Sequence, residues 1–254
     1  MILTIWLKEI REELFTWKSM LWLLIVSLLY SLTSYLLLTN KELSLLDQTE
    51  LLWLFSKIVI GAAFLVVTIN CSSLINNEFE KETAESLFLT PLHFSGFIAG
   101  KILASITLWF YIFLISIPYI IVITIGTNLI GPFLLFLGIL GTIGITGIIL
   151  FITGLSLIFR STKNTLTTSL IFLFAFAVPA MFSTTLKINP LAQFFAKINP
   201  LDNIFGSLDN VLVDYQLSLA QNFKFIFPLI LFCLIMLIFL IFTAKCTQKR
   251  GGLK

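Results

Sequence analysis

The densest group of residues that could do chemistry lies in the segment 76–101, between two long apolar stretches. Its charged residues recur at three- and four-residue steps: Glu78, Lys81, Glu82 and Glu85. This spacing places them on one face of a helix, which ends at Thr90-Pro91 because proline interrupts the backbone hydrogen bonds. A charged helix face between two apolar stretches is suited to contact with a soluble partner. We therefore expect this segment to dock a protein.

The groups that catalysis would need are sparse in the sequence. The single histidine, His93, lies close to Pro91, where we expect a solvated surface residue or a contact at a partner surface. The pair Gly100-Lys101 lacks the full spacing of a phosphate-binding loop and the Ser or Thr that follows its lysine. The three cysteines have the spacing of neither a metal site nor a disulfide framework. We predict no catalytic residue, no metal and no cofactor bound by this chain.

The composition sets the class of protein. The 254 residues are 58% hydrophobic and 11% charged, whereas a soluble domain is about a quarter charged. Apolar runs of about 20 residues recur, and each is long enough to cross a bilayer core of about 30 Å. The net charge of +3 is too small to indicate a nucleic-acid partner. We predict one all-α polytopic membrane domain over residues 1–254, with spans at Met20–Leu38, Leu51–Leu74, Phe97–Ile125, Gly131–Phe159, Leu166–Leu186 and Phe225–Thr243.

Residues 1–19 precede the first predicted span. Their apolar residues recur at three- and four-residue steps: Leu3, Trp6, Ile10, Leu14 and Trp17. This pattern predicts an amphipathic helix in the membrane interface, with its charged residues on the opposite side. The alternative is a frayed cytosolic start to the first span. Most lysines and arginines fall on one side of the predicted topology, which places both termini in the cytoplasm.

The long segment 187–224 falls outside the membrane in this topology. It opens with a tandem repeat, Lys187-Ile-Asn-Pro-Leu191 and Lys197-Ile-Asn-Pro-Leu201, and the Asn-Pro pairs start turns. The rest of the segment is too apolar for a loop in water. It predicts short helices that dip into the outer leaflet or cap a cavity between the spans.

Few residues within the spans could line a path. Lys57 lies near the outer end of the second span, where it either snorkels to the interface or lines a substrate path. Thr68 and Asn70, near the inner end of that span, could face an internal cavity. Acidic residues do not continue through the bilayer, which disfavours an ion-coupled carrier. In the fourth span, Gly138, Gly141, Gly144 and Gly147 predict tight helix packing.

The charged segment also resembles a known family. The pattern Glu78-x-Glu80-x-x-Thr83-x-Glu85-x-Leu87-x-x-Thr90-Pro91-Leu92, followed by Gly100-Lys101, resembles the signature of type-2 ABC transporter permeases. In that family the signature also lies between the second and third spans, and the resemblance extends to the interfacial helix, the six spans and the long external loop. This chain departs from the family at Glu82, where glycine is frequent, and at His93-Phe94, where a basic residue is frequent.

The resemblance implies a coupling helix, within the coupling region 76–96, that docks on a separate ABC ATPase. The implied ATPase-coupling residues are Glu78, Glu82, Thr83, Glu85, Leu87, Thr90 and Pro91. Two ATPase copies would bind ATP and Mg²⁺, and two permease chains would pair as a homodimer or heterodimer in a bacterial or archaeal cytoplasmic membrane. The second and fifth spans would line the path, with Phe172 and Phe176 on its face.

Three functions follow from these observations. The apolar, aromatic face of the fifth span favours export of a hydrophobic or amphipathic substrate by a permease subunit. The alternative is a mechanical membrane subunit, in which the same ATPase moves an external protein partner through the segment 187–224. A stand-alone scaffold or membrane enzyme is disfavoured because the sequence lacks catalytic groups.

Overall fold

The structure, a computed structural model, describes residues 2–13, 16–39, 47–81, 94–125, 130–181, 190–212, 218 and 220–250. These residues form helices and no strand. The helices are α1 Ile2–Glu13, α2 Trp17–Thr39, α3 Gln48–Glu80, α4 Phe94–Ile123, α5 Ile130–Phe159, α6 Thr162–Met181, α7 Pro190–Ile198, α8 Pro200–Leu212 and α9 Phe223–Arg250.

Six of these helices are long and apolar enough to cross a membrane: α2, α3, α4, α5, α6 and α9. They overlap the six predicted spans, the fifth of which ends at Leu186, outside the described residues. Among the described residues, an all-helical fold with six helices of membrane-spanning length is therefore confirmed. The main differences are at the helix ends. The helix α3 continues to Glu80, six residues beyond the predicted end at Leu74, because polar residues in its last turns find partners on neighbouring helices.

The helices α3 and α5 form the centre of the bundle. In the apolar window of each span, the buried share is 67% for α3 and 61% for α5, against 17% for both α6 and α9. The helix α3 packs against α2, α4, α5 and α6, and α5 packs most extensively against α9. The outer faces of the peripheral spans carry exposed apolar side chains such as Leu32, Ile171 and Phe242, as expected of surfaces that meet lipid.

Glycines of α5 let three neighbouring helices approach closely. A Cβ atom at Gly141 would lie 2.5 Å from Trp109 of α4, and one at Gly147 would lie 2.5 Å from Phe232 of α9. At Gly144 it would lie 2.6 Å from Ile204 of α8. The predicted tight packing is therefore confirmed at these three positions, whereas Gly138 makes an ordinary contact.

The segment predicted to contain short helices does contain α7 and α8. Ile204 of α8 is fully buried, and α8 packs against α3, α5, α6 and α9. The Trp53 indole Nε1 of α3 donates a hydrogen bond to the Phe205 carbonyl at 3.3 Å. The helix α8 therefore closes one end of the bundle, while Phe195 and Ile198 of α7 are exposed.

The N-terminal helix α1 lies along the first turns of α4. The Trp6 Nε1 donates to Thr107 Oγ1 at 3.0 Å, and Ile5 packs against Gly100. Most of its charged side chains are exposed, but Glu9 is buried. The expectation that all charges of this helix lie on the side away from its apolar contacts is therefore wrong for Glu9. Its position in a membrane interface stays a prediction.

Replacing Gly141 with alanine is expected to lower the free energy of unfolding by about 1–3 kcal/mol, the usual effect of overpacking a core. The added methyl group would meet a Trp109 side chain that is 1% exposed. That ring cannot swing aside easily because its Nε1 donates to Thr142 Oγ1 at 3.0 Å. Unfolding in detergent micelles, followed by far-ultraviolet circular dichroism, measures the effect.

Gly61→Ala on α3 is the matched control, since no atom beyond the adjacent residues and backbone of α3 lies within 4 Å of its Cβ position. We expect this variant to unfold at the wild-type midpoint or slightly above it, because alanine favours a helix over glycine. Equal midpoints for Gly141→Ala and the wild type would contradict the close α4–α5 packing.

Candidate functional site

The last two turns of α3 and the residue after them, 74–81, contact the helices α4, α5 and α6. We call these residues the α3 end. Glu78 points toward Lys101 of α4, which also binds Glu9 of α1, whereas Asn76 and Glu80 point toward α5 and α6. Residues four apart lie on the same helix face, so the two directions follow from the spacing. The α3 end leads directly into the segment 82–93 that carries most of the family-like signature.

The first contact is a buried cluster of charges around Lys101 of α4. The Lys101 ammonium donates to the Leu74 carbonyl at 2.7 Å and lies 3.1 Å from Glu9 Oε1 and 3.4 Å from Glu78 Oε1. An ammonium has three protons to donate, and these three acceptors match that number. The cluster therefore joins α1, α3 and α4.

Burial makes this cluster sensitive to loss of a member. The Lys101 and Glu9 side chains are 2% and 6% exposed, and that of Glu78 is 18% exposed. Charges removed from water are stable only when paired, so deleting one partner leaves the others with an uncompensated cost. Two carboxylates share one ammonium here, so the paired charges sum to −1. The need of each buried carboxylate for this one ammonium therefore holds the three helices together.

The second contact is made by Asn76, which is fully buried. Its Nδ2 donates to Thr165 Oγ1 of α6 at 2.9 Å and to the Ser72 carbonyl at 2.8 Å, and it lies 3.4 Å from Ser156 Oγ of α5. Its Oδ1 has no hydrogen-bond partner in the structure. The carboxamide therefore joins three helices through its nitrogen alone.

The third contact is made by Glu80 and Phe79 at the turn between α5 and α6. Glu80 Oε1 accepts a hydrogen bond from the Thr162 backbone N–H at 2.6 Å. The first N–H groups of a helix have no partner within it, and a carboxylate there is favoured by the helix dipole. The Arg160 guanidinium lies 5.4 Å from the centroid of the Phe79 ring. The α3 end thus covers the start of α6.

A polar cleft of about 320 Å³ opens beside the Lys101 cluster. Its lining includes charged and amide groups from α1, α3 and α4: Glu9, Glu12, Asn70, Glu78, Lys81 and Lys101. Within the described part of the chain, no group of three or more His, Cys, Asp or Glu residues is arranged to hold a metal ion. The cleft could admit water or a polar group, and three of its charged side chains, Glu9, Glu78 and Lys101, are paired with one another.

Most of the predicted ATPase-coupling residues lie outside the residues that the structure describes. These are Glu82, Thr83, Glu85, Leu87, Thr90 and Pro91. Glu78 is described, and its carboxylate is directed to Lys101. Its role in docking an ATPase therefore stays a prediction, while its role in tying α3 to α4 is a new finding.

The residues predicted to line a path are not gathered on one surface. Lys57 Nζ lies 3.3 Å from the Trp53 ring centroid and 5.8 Å from that of Phe205, near α8. Thr68 is fully buried, whereas Asn70 lines the polar cleft. Their role in translocation stays a prediction.

The two aromatic path candidates of α6 pack inside the chain. Phe172 stacks on Phe151 of α5 with ring centroids 4.0 Å apart. Phe176 meets Phe172 edge-on at 4.5 Å and Phe232 of α9 at 6.1 Å. In this conformation both rings belong to an aromatic row that links α5, α6 and α9.

Sequence reasoning missed Glu9, Asn76 and Glu80 as structural partners. A signal for Glu9 was available, because Lys101 is followed by a long apolar stretch and a lysine buried there needs a counter-charge. No comparable signal indicated Asn76 or Glu80, whose partners lie more than 80 positions away.

Comparison with known proteins gave no match, either to a protein-family model or to a curated protein.

Replacing Lys101 with methionine is expected to cost about 3–5 kcal/mol of unfolding free energy, because it leaves two carboxylates without their buried cation. The triple variant Glu9→Gln, Glu78→Gln, Lys101→Met should recover more than half of that loss, since it removes all three charges. Unfolding with sodium dodecyl sulfate, followed by tryptophan fluorescence, measures both.

The control is Lys8→Met on the exposed side of α1, whose ammonium pairs with Glu12 at 3.7 Å. We expect it to cost less than about 1 kcal/mol, as for other surface ion pairs. Equal stability of Lys101→Met and Lys8→Met would show that the buried cluster does not hold the helices together.

Proposed function

We propose that this chain is the transmembrane permease subunit of an ATP-binding cassette exporter. A separate ATPase, present in two copies, binds the ATP and Mg²⁺ and docks on the segment 82–93. Two permease chains, identical or different, form the membrane part. The observation that supports this proposal most directly is the α3 end, which joins the family-like signature to α1, α4, α5 and α6.

The attachment of the segment 82–93 suits a coupling element. The segment begins directly after Lys81 and ends directly before Phe94. Within two turns of these points, Lys101 binds both Glu78 and the Leu74 carbonyl. A force on the segment therefore acts on α3 and α4 together, and the Glu9 contact carries α1 with them. Coupling between two sites requires such a shared element.

The proposed substrate is hydrophobic or amphipathic. Outside the first and last two turns of each helix, the described spans hold two charged side chains, Lys57 and Lys101, and both are engaged by other groups. A proton relay or ion path would need ionisable groups at several depths. The aromatic row around Phe172 offers an apolar surface instead, if the helices that bury it separate.

A mechanical membrane subunit is the second candidate. It is favoured by the helix α8, which closes the end of the bundle opposite the α3 end, and by its exposed neighbour α7. The Trp53–Phe205 hydrogen bond joins α3 to this region, and Phe195 and Ile198 present exposed apolar side chains there, 65% and 50% exposed. In this function the ATPase drives α3, and α7 contacts an external protein partner.

Replacing Glu85 and Leu87 with alanine is expected to reduce co-purification of the ATPase by at least about tenfold, because anchors at an interface centre carry most of its binding energy. Membrane insertion and the unfolding midpoint should stay at wild-type values. Quantitative affinity purification from solubilised membranes, with both subunits expressed together, measures the retained ATPase.

The matched control is Glu50→Ala with Leu38→Ala, an acidic and an apolar residue that are both exposed at the other end of the bundle. This control should retain the ATPase fully. Wild-type recovery of ATPase by the Glu85 and Leu87 variants would refute docking at this segment.

Phe195→Ser with Ile198→Ser separates the two candidate functions. For an exporter, ATP-driven transport of an amphipathic fluorescent probe into inverted vesicles should remain within about twofold of wild type, because these exposed side chains pack little on the bundle. For a mechanical subunit, binding of an external protein should fall by at least about tenfold while ATP hydrolysis continues. Loss of transport in this variant would count against the exporter as described.

A further inference from the structure

The turn between α5 and α6 holds an unusual backbone conformation. Arg160 has a φ of 50°, in the left-handed region that residues with side chains rarely adopt. The turn is short, and the Arg160 N–H donates to the Ser156 carbonyl at 3.0 Å while the Thr165 N–H donates to the Ser161 carbonyl at 3.0 Å. A strained residue persists only where surrounding contacts fix it. The α3 end packs against this turn, with Phe79 on the Arg160 side chain and Glu80 on the Thr162 N–H.

Three successive contacts connect one face of α3 to this turn. Asn76 donates to Thr165 Oγ1, Phe79 lies beneath the Arg160 guanidinium, and Glu80 accepts from the Thr162 N–H. Their spacing of three and four residues puts them on one helix face. The Glu80 bond spans 82 residues of sequence, so it is a tertiary cap on α6 rather than a local one.

Little of the rest of α6 is buried inside the chain, so its position depends strongly on these contacts. Only 17% of its apolar window is buried inside the chain, against 67% for α3. Toward its other end, the Phe176 carbonyl accepts from Asn199 Nδ2 at 2.8 Å. The helix α6 is therefore fixed by polar contacts near its two ends and by the aromatic row between them. A change at the α3 end acts on the start of α6 directly.

We propose that Glu80 and Asn76 are positioning residues that fix α6 to the α3 end, so that α6 moves whenever the segment 82–93 is displaced. Glu78 connects the opposite face of the same turns to Lys101, so one rigid turn divides the motion between α4 and α6. The motion of α6 rests on the proposed function, because it needs the ATPase as its source. The attachment of α6 does not.

The first experiment uses the chain alone in lipid nanodiscs and follows backbone hydrogen exchange by mass spectrometry. In Glu80→Ala, peptides covering the first turn of α6 should exchange at least about tenfold faster than in the wild type, as expected when a charge-assisted hydrogen bond is lost. Glu80→Gln should stay within about threefold of wild type, because its amide oxygen can accept the same bond. Glu12→Ala, an exposed glutamate on α1, is the control and should not change exchange in α6.

The second experiment adds the ATPase and a non-hydrolysable ATP analogue. In the wild type and in Glu80→Gln, the analogue should change exchange in the second half of α6 at least threefold. In Glu80→Ala that change should disappear while ATP hydrolysis continues, which a role in stability alone would not produce.

The two experiments separate the inference from the proposed function. Unchanged exchange in the first turn of α6 in Glu80→Ala would overturn the attachment and leave the exporter proposal standing. A persistent nucleotide effect on α6 in Glu80→Ala would overturn the transmission through Glu80. Failure of any ATP-binding cassette ATPase to bind the wild-type chain would overturn the proposed function and the motion of α6 with it, while the first experiment still decides the attachment.

Discussion

The buried ammonium of Lys101 constrains the arrangement of this end of the bundle. A charge on an apolar helix is stable away from water only when acceptors surround it, and here they come from α1 and α3. Satisfying that single group brings three helices to one point. Once the position and rotation of α3 are set there, its other face is directed to the turn between α5 and α6, where Asn76 and Glu80 find their partners. The polar contacts of this end thus depend on one another.

The helix α3 is long enough to connect the two ends of the helix bundle. Its 33 residues, at 1.5 Å each, give a length of about 50 Å, which exceeds an apolar bilayer core of about 30 Å. Trp53 bonds to α8 near its first turns, and Glu80 bonds to α6 at its last. Between these points α3 is buried along most of its length, and its buried side chains are mainly apolar. A rigid, continuous helix with polar contacts at both ends can transmit displacement with little loss along its length.

The sequence allowed the spans to be predicted because apolar runs of about 20 residues have few alternatives in a membrane. The continuation of α3 over its last six residues could not be predicted. Hydropathy scores Asn76 and Glu78 as polar and does not take into account the partners that stabilise them. Glu9 was assigned to the solvent side for a related reason: an amphipathic pattern assumes that every charge seeks water, whereas this one meets Lys101. The glycines of α5 were interpretable because close helix packing requires small residues at fixed intervals. Partners distant in sequence were not, because hydropathy and residue spacing do not show which distant residues meet.

The order in which these partners are synthesised has a consequence for biogenesis. Glu9 leaves the ribosome 92 residues before Lys101, and Glu80 leaves it 82 residues before Thr162. During insertion, the carboxylates of α1 and α3 must therefore stay hydrated until α4 arrives, and the start of α6 is the last contact of the α3 end to form. The N-terminal helix cannot dock as soon as it is made. Its attachment waits for the third span, so the entry of α4 into the membrane is the step that allows α1 to dock.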